Sequence, residues 1–447
     1  MVTRRDFLKT TGAATLAGQL AWAGAADRGN RKRLAIIANV WTYLSHAQHM
    51  GDRFLVGYPF EGQWRQPEID VVSLYVDQTP KGKKIEEPPP KPGEQRPVVD
   101  PRKQRGTADQ SQDRAKEFGF NVYPSIAETL RNGTDKLAVD AVVIIGEHGE
   151  YPRNEKGQIL YPRYEFFQQV VEVFEKDGRS VPVFNDKHLS YSFDKAQKMV
   201  QSSKRLRFPM LAGSSLPVTW RLPSIDLPLG CVIEDALMVG VGSSDAMDYH
   251  ALEAMQCMVE RRQGGETGVR SVQYIEGNAV WQAAVQGRWS KELLEAALSR
   301  AHTIEGITLI DARTQDLVNS GVLPQIVENP AAYLIEYADG LRATLLMLNG
   351  AVGDYTFAAR VQGMPQLQST QFLLPLKPNV AYSACLVNKI VEMIESGKAP
   401  YPVERTLLVS GILDKCLDSK LNNHEPLKTP ELNVRYQPPH DSQFCQT

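Results

Sequence analysis

The feature that most constrains how this chain can fold is a series of short apolar runs separated by segments of helical length. The runs at 34–38 (LAIIA) and 139–145 (VDAVVII) are almost continuously apolar, as in strands buried inside a parallel sheet. The segments at 163–176 and 193–202 have the apolar spacing of helices. Strands that alternate with helices in this way predict βαβ units, and therefore a doubly wound parallel sheet over residues 31–215.

The pattern changes after residue 215. A helix is predicted over about 248–262, and segments of alternating polarity predict strands at 269–276, 332–338, 343–348, 357–361 and 371–374. Further helices are predicted at 380–396 and near 403–418. Because 447 residues exceed one ordinary hydrophobic core, we predict a second α/β domain over 216–447 with an open, largely antiparallel sheet.

Composition narrows the possible partners. The chain has 50 basic and 52 acidic residues and no basic run, so nucleic acid is not an expected partner. Its five cysteines are scattered without C-x-x-C spacing, which favours buried apolar thiols over a disulfide framework or a zinc site. Residues 79–108 are rich in proline and basic residues, and this composition predicts a surface insertion that cannot form a core.

The N-terminus has the pattern of a twin-arginine export signal. Arg4 and Arg5 precede a phenylalanine, a leucine and Lys9, and a weakly apolar stretch with small residues suited to cleavage follows. That stretch is too short and too rich in glycine to span a membrane, which takes about 20 apolar residues. We predict a signal peptide over 1–26 and a mature protein without a membrane span, in the periplasm or outside the cell.

Five stretches, in this order and spacing, resemble the glucose–fructose oxidoreductase, inositol dehydrogenase and MocA-like (Gfo/Idh/MocA) family. They are the first strand and helix, 112–146 with VYPSIAETL and VDAVVII, 181–200 (VPVFNDKHLSYSFDKAQKMV), 240–255 (GVGSSDAMDYHALEAM) and 395–414 (ESGKAPYPVERTLLVSGILD). The resemblance implies a Rossmann domain followed by an α/β domain. It also implies an oxidoreductase that acts on a carbohydrate or polyol with NAD or NADP, and a homo-oligomer that pairs through the second sheet.

The glycines that bind the dinucleotide in this family are absent. Members have G-x-G-x-x-G after the first strand, and the same register here holds Ala38, Val40 and Tyr43, with His46 at the position of the family's histidine. Glycine allows a tight turn, close approach of the pyrophosphate and contact between helix and strand. A further apolar run at 69–76 predicts the second strand, and Asp77 follows it, where an acidic residue would bind the ribose. Ala38, Val40, Tyr43 and Asp77 are therefore candidate cofactor contacts. The absence of the three glycines argues against ordinary binding of NAD or NADP.

The resemblance also implies the residues that transfer protons. Asp186 and Lys187 occupy the place of the family's Glu-Lys-Pro motif, whose lysine lies near the nicotinamide and the substrate. A lysine beside a carboxylate at a strand end is a reasonable proton-transfer pair. His250 matches the family's catalytic histidine, but Ala246 replaces the aspartate that precedes it. Asp245 could act for that aspartate if the turn shifts by one residue.

Other polar residues complete the candidate site at the strand ends, where open α/β sheets bind ligands. Glu147 and His148 follow the fourth strand, at a turn that faces the nicotinamide in the family. For the substrate, Trp220 could stack on a sugar face, and Arg221 could bind a carboxylate or hydroxyls. Glu253 lies three residues after the catalytic histidine, so we predict that both project from one face of the helix.

The sequence leaves three functions open, all with a small carbohydrate-type ligand. The first is the exported oxidoreductase with a nicotinamide cofactor. The second is a lyase, epimerase or hydrolase that does not use the dinucleotide, for which the carboxylates and histidines named above could hold a divalent metal. Their spacing matches no metal motif, so no residue is assigned as a metal ligand. The third is a non-catalytic carbohydrate-binding protein.

Overall fold

The computed structural model describes residues 31–82, 108–242, 244–303, 317–375 and 380–446, and Lys32–Thr447 belong to one compact unit. The predicted signal peptide and most of the predicted insertion at 79–108 lie outside the described residues. Among the described residues, no helix is long and apolar enough to cross a membrane. The domain boundary between residues 215 and 216 stays a prediction.

The first half of the unit alternates strands and helices as predicted. Its elements are β1 (Lys32–Ala38), α1 (His46–Val56), β2 (Tyr58–Phe60), β3 (Gln63–Arg65), β4 (Ile69–Val76), α2 (Ser111–Phe118), β5 (Asn121–Val122), α3 (Ile126–Arg131), β6 (Ala141–Ile145), α4 (Arg163–Asp177), β7 (Val183–Asp186), α5 (Phe193–Leu206) and β8 (Met210–Gly213).

Six of these strands form the predicted parallel sheet, in the order β5-β4-β1-β6-β7-β8. The order reverses direction at β1, and both faces of β1 and β6 are buried, which explains their apolar sequences. Helix α1 begins at residue 46, where the Ser45 side chain caps it by accepting a hydrogen bond from the Gln48 backbone N–H.

The second half contributes β9 (Arg221–Leu222), β10 (Ile233–Gly240), α6 (Asp245–Val259), β11 (Val269–Glu276), α7 (Asn278–Val285), α8 (Lys291–Leu298), α9 (Leu323–Ile326), β12 (Ala331–Tyr337), β13 (Arg342–Met347), β14 (Tyr355–Val361), β15 (Gln368–Phe372), α10 (Tyr382–Ser396), α11 (Val403–Leu421) and β16 (Leu427–Lys428).

Its strands form an eight-stranded sheet in the order β16-β11-β12-β13-β10-β14-β15-β9. Every neighbouring pair is antiparallel except β10 and β13, so the sheet is largely antiparallel as predicted. The prediction missed β10, although it lies in the middle of this sheet. Its last five residues are buried on both faces, so the polar–apolar alternation by which the other strands were found is lacking.

Helices of the same chain cover both faces of the second sheet. Ala236 and Met238 of β10 pack in one core with α6 and α11, whereas Leu237 and Val239 pack in another with α7, α8 and α9. The segment between β11 and β12, which carries α7–α9, therefore covers the face through which a homo-oligomer was expected to pair. Oligomerisation stays a prediction. The exposed sheet face on which that prediction was based is not present among the described residues.

Candidate active site

A cavity of about 370 Å³ lies at the carboxyl ends of the first sheet's strands, between them and the start of α6. We call it the polar pocket. It contains five of the residues predicted from the sequence, Glu147, His148, Asp186, Lys187 and His250. The other polar side chains that line it are His46, His49, Tyr161, Ser214, Ser215, Ser244, Asp245, Tyr355, Tyr382 and Ser383.

Lys187 belongs to a buried group of three charges. Its Nζ donates to Glu147 Oε2 at 2.9 Å, and the Arg163 guanidinium donates to Oε1 of the same carboxylate. Burial alone would raise the pKa of Glu147, but Lys187 and Arg163 lower it well below its usual value, so Glu147 is ionised. Gly146 makes the group possible, because a Cβ at that position would lie 2.5 Å from Arg163 Cγ.

The predicted pairing of Lys187 with its neighbour Asp186 is not what the structure contains. Asp186 Oδ2 lies 2.6 Å from His46 Nδ1, while Lys187 contacts Glu147. The Lys187 backbone has a φ of 58°, in the left-handed region that residues with side chains rarely adopt. The chain therefore turns sharply between the two residues, and each side chain has a different partner.

His250 is the candidate base. Burial, followed by the charges of Lys187 and His46, lowers the pKa of His250 well below its usual value, so the imidazole is neutral at pH 7. Its Nδ1 atom is buried and has no hydrogen-bond partner among the described residues. A neutral ring nitrogen of this kind can accept a proton or a hydrogen bond from a ligand in the pocket.

Asp245 lies one residue before Ala246, which holds the position of the family's aspartate. It is the first residue of α6 and lines the polar pocket, and its Oδ2 lies 3.7 Å from His188 Nε2. Burial raises the pKa of Asp245. Asp248, at the family's glycine position, lies outside the pocket, where it accepts a hydrogen bond from the Tyr333 hydroxyl at 2.6 Å.

The loop after β1 fills the place where a dinucleotide's pyrophosphate would lie. Val40 and Trp41 are 2 % and 0 % exposed, and Tyr43 is half-buried. Four backbone N–H groups of this loop and the first turn of α1 already have acceptors in the protein, on the side chains of Ser45, Gln48 and His148; they are those of Thr42, Leu44, His46 and Gln48. Phosphate binding at a helix N-terminus needs such groups to be available.

The ribose side of the crevice is occupied in the same way. Ala38 is fully buried, and both carboxylate oxygens of Asp77 accept hydrogen bonds, from Tyr75 at 2.8 Å and Tyr151 at 2.7 Å. The Gln78 amide also pairs with both backbone groups of Glu150, each at 2.9 Å. We call the region of Val40, Trp41, Asp77, Gln78 and Tyr151 the filled half. These residues do not form the usual cradle for NAD or NADP.

A metal centre is not formed either. No group of three His, Cys, Asp or Glu side chains within the described ranges could hold a metal ion. Three of the four histidines that line the polar pocket instead bond to neighbours in the protein, and only His250 has no such bond in the described part of the chain. His46 contacts Asp186, and His49 Nδ1 lies 2.8 Å from Ser383 Oγ. The divalent-metal alternative has no ligand set among these residues.

The three residues predicted to contact the substrate do not line the polar pocket. Trp220 packs against the core that contains α1 and α10. Arg221 is buried, lies over the Phe444 ring at 4.1 Å and pairs with Asp226 at 3.1 Å. Glu253 lies behind Ser214, which lines the pocket, and is fully buried. It accepts hydrogen bonds from the Ser214 backbone N–H at 2.7 Å and the Tyr249 hydroxyl at 2.8 Å, and burial raises its pKa to about 7.

Several pocket residues were missed in the sequence. His46 had a signal, since it matches the family's histidine, but it was not assigned to the site. His49, on α1, and Tyr382 and Ser383, on α10, had no such signal. None of the three positions matches a motif, and α10 reaches the pocket through its packing against α1.

Comparison with known proteins supports the export signal. Residues 1–21 match the model of the twin-arginine translocation (TAT) pathway signal sequence, which confirms the predicted export route. No curated protein has a matching sequence.

Similar solved structures include the following three. Myo-inositol 2-dehydrogenase from Lactobacillus plantarum is 14% identical, with a TM-score of 0.46, covering 89% of this chain and 99% of its own. GenD2 from gentamicin A biosynthesis, in complex with NAD, is 13% identical, with a TM-score of 0.49 and coverage of 89% and 96%. A probable dehydrogenase from Thermotoga maritima is 10% identical, with a TM-score of 0.49 and coverage of 90% and 99%. At these identities and TM-scores the similarity carries no argument about fold, substrate or cofactor, and membership of the Gfo/Idh/MocA family stays a prediction.

Proposed function

We propose that this exported protein is an enzyme that transfers protons on a small carbohydrate or polyol, without a nicotinamide dinucleotide in the usual cradle. One observation carries the proposal. The neutral His250, with a buried Nδ1 that lacks a partner among the described residues, shares a pocket with Lys187. The adjoining half of the crevice is filled by the chain itself.

The two side chains have complementary chemistry. His250 is available as a general base toward a hydroxyl or an acidic C–H, because its imidazole is neutral. A lysine ammonium has three N–H donors, and Glu147 accepts one from Lys187. The others can stabilise negative charge on a substrate oxygen, and the ion pairs to Glu147 and its partner Arg163 hold the lysine in place.

The pocket suits a hydroxylated ligand. Ser214 and Ser215 line it beside Lys187 and His250. Buried polar atoms without partners, such as His250 Nδ1 among the described residues, are uncommon in native proteins, and a hydroxyl of a bound sugar or polyol would satisfy this nitrogen. A cavity of about 370 Å³ is within the usual size of small-molecule sites.

The experiment is a search for carbon-bound proton exchange. The mature protein is screened against sugars, polyols and oxidised sugars by thermal shift, and each binder is incubated with it in D₂O and followed by NMR. We expect deuterium incorporation or product formation with the wild type and a loss of it in His250→Gln. His302→Gln, at an exposed histidine, is the matched control. Binding without exchange or turnover for any binder, with affinity unchanged in His250→Gln and Lys187→Gln, would identify a non-catalytic binding protein instead.

A nicotinamide-dependent oxidoreductase is the second candidate. It is favoured by the position of Lys187 and His250 in one pocket at the carboxyl edge of a parallel sheet. It requires the filled half to open, with Tyr151 and Gln78 leaving their partners. Denaturing the purified protein and analysing the released small molecules by mass spectrometry tests it. Near-stoichiometric NAD or NADP would establish this candidate, and no release together with no calorimetric binding of either would exclude it.

A further inference from the structure

Two of the five cysteines lie together near the polar pocket. Cys385 is on α10 and Cys445 is in the C-terminal segment, and they are 1 % and 7 % exposed. Both belong to the same apolar core, and both line one surface cavity of about 330 Å³. The thiols are within hydrogen-bonding contact of each other. Cys257 and Cys416, by contrast, belong to the other large core.

The two cysteines lie on, or are bonded to, two separate segments that line the polar pocket. Cys385 follows Tyr382 and Ser383 and precedes Leu386, which all line the pocket. The backbone N–H of Cys445 donates to the Val218 carbonyl at 2.9 Å, in the segment that begins with the pocket residues Ser214 and Ser215. A covalent link between the sulfurs would therefore fasten α10 to the segment after β8.

The export signal supplies the chemical setting. Disulfides form and persist in oxidising compartments outside the cytoplasm and are rare within it. The twin-arginine pathway carries folded proteins, so the two thiols would already be neighbours when the chain arrives. We propose that Cys385 and Cys445 form a disulfide after export, and that it locks the two pocket-lining segments together. The proposal does not depend on the reaction that the pocket performs.

The reaction is a thiol–disulfide exchange with an oxidised dithiol protein of that compartment. Cys445, the more exposed of the two, attacks the partner's disulfide as a thiolate and forms a mixed disulfide. Cys385 then attacks Cys445 Sγ and releases the partner. Two protons and two electrons leave the cysteines, one sulfur–sulfur bond forms in this chain, and the partner's disulfide is reduced to a dithiol.

Peptide mapping tests the bond directly. The full chain is produced in a bacterium with its own signal, and a second version with Arg4→Lys and Arg5→Lys is retained in the cytoplasm. Both are alkylated under denaturing conditions before digestion with trypsin. Cleavage gives residues 361–389, since the Lys377–Pro378 bond is not cut, and residues 436–447, each with a single cysteine.

We expect the two peptides to be cross-linked in exported protein and separately alkylated in retained protein. Cys416, in the peptide 416–420, should be alkylated in both and serves as the internal control. Alkylation of both Cys385 and Cys445 in protein recovered from the exported fraction would overturn the proposal.

A stability measurement gives an independent test. Reductant should lower the melting temperature of exported wild type by a few degrees, because a disulfide restricts the unfolded chain. The same reductant should leave Cys385→Ser and Cys445→Ser unchanged, whereas Cys416→Ser should respond as the wild type does. A melting temperature of the wild type that is insensitive to reductant would contradict the proposed lock.

Discussion

The carboxyl edge of the first sheet has two halves with opposite properties. At the ends of β1 and β4, the filled half is occupied by apolar rings and by hydrogen bonds that the chain makes with itself. At the ends of β6, β7 and β8, the polar pocket holds a charged lysine group and a histidine nitrogen without a partner among the described residues. Buried polar groups are normally satisfied, so a partnerless one in a cavity favours a ligand site. Trp41 Nε1 of the filled half also lacks a partner among the described residues, but Trp41, unlike His250, does not line the polar pocket. Under the proposed function, the chemistry takes place in the second half alone.

The largest expected effect comes from the polar pocket. His250→Gln should lower the turnover of the identified substrate by roughly 10²–10⁴-fold, which is the usual contribution of a general acid or base. Trp41→Phe, in the filled half, should change kcat/KM by no more than a few-fold. Steady-state kinetics of both variants checks this, and equal losses would show that both halves take part in the reaction.

The next effect concerns the charges that hold Lys187. Glu147→Gln should destabilise the protein by about 3–5 kcal/mol at pH 7, because it leaves buried cations without their counter-ion. Since the folded pKa of Glu147 is depressed, this stabilisation is present above the ordinary carboxyl value of 4.5 and is lost as the pH falls through the folded value.

Urea unfolding at several pH values measures this loss. Glu165→Gln is the matched control, because the carboxylate of Glu165 pairs with Lys195 at the surface, where the effect should be below about 1 kcal/mol. A similar loss in both variants, or a loss for Glu147→Gln that grows as the pH falls, would contradict the ion-pair assignment.

The packing of the filled half predicts a smaller effect. A Cβ at Gly51 on α1 would lie 2.4 Å from the buried Trp41 ring, so Gly51→Ala should destabilise the fold by about 1–3 kcal/mol despite the better helix propensity of alanine. In a protein that already carries Trp41→Phe, Gly51→Ala should lower the free energy of unfolding by a smaller amount, because the ring at position 41 is smaller. A double-mutant cycle by urea unfolding measures the coupling, and additive effects would show that the two residues do not press on each other.

The smallest effect is at the rim of the filled half. Tyr151→Phe removes the hydrogen bond to Asp77 and should cost about 0.5–1.5 kcal/mol, near the lower limit because the pair is exposed. Tyr123→Phe, which loses a hydrogen bond to Asn132, is the matched control. Calorimetry should still detect no binding of NAD to Tyr151→Phe. Binding would show that this one hydroxyl keeps the filled half closed.

The sequence predicted much of the fold because apolar period and run length report which faces are buried. The runs of β1 and β6 and the spacing of the helices predicted the parallel sheet, and both sheets are present. The loss of glycine at positions 38, 40 and 43 indicated that the dinucleotide cradle was altered. The motif matches at Lys187 and His250 located two residues that share one pocket.

Only the tertiary structure determined which side chains of the site contact each other. Lys187 pairs with Glu147, 40 positions away, rather than with the adjacent Asp186, because a left-handed backbone turns its side chain away from that neighbour. His49 and helix α10 complete the pocket. Their positions depend on contacts between segments more than 300 positions apart, such as that of His49 with Ser383. Spacing along the chain determines which face a residue occupies in a helix or strand, but the direction of a side chain in a loop depends on packing between distant segments. The sequence therefore determined the architecture and the region of the site, whereas only the fold decided which charges meet and which half of the crevice stays open.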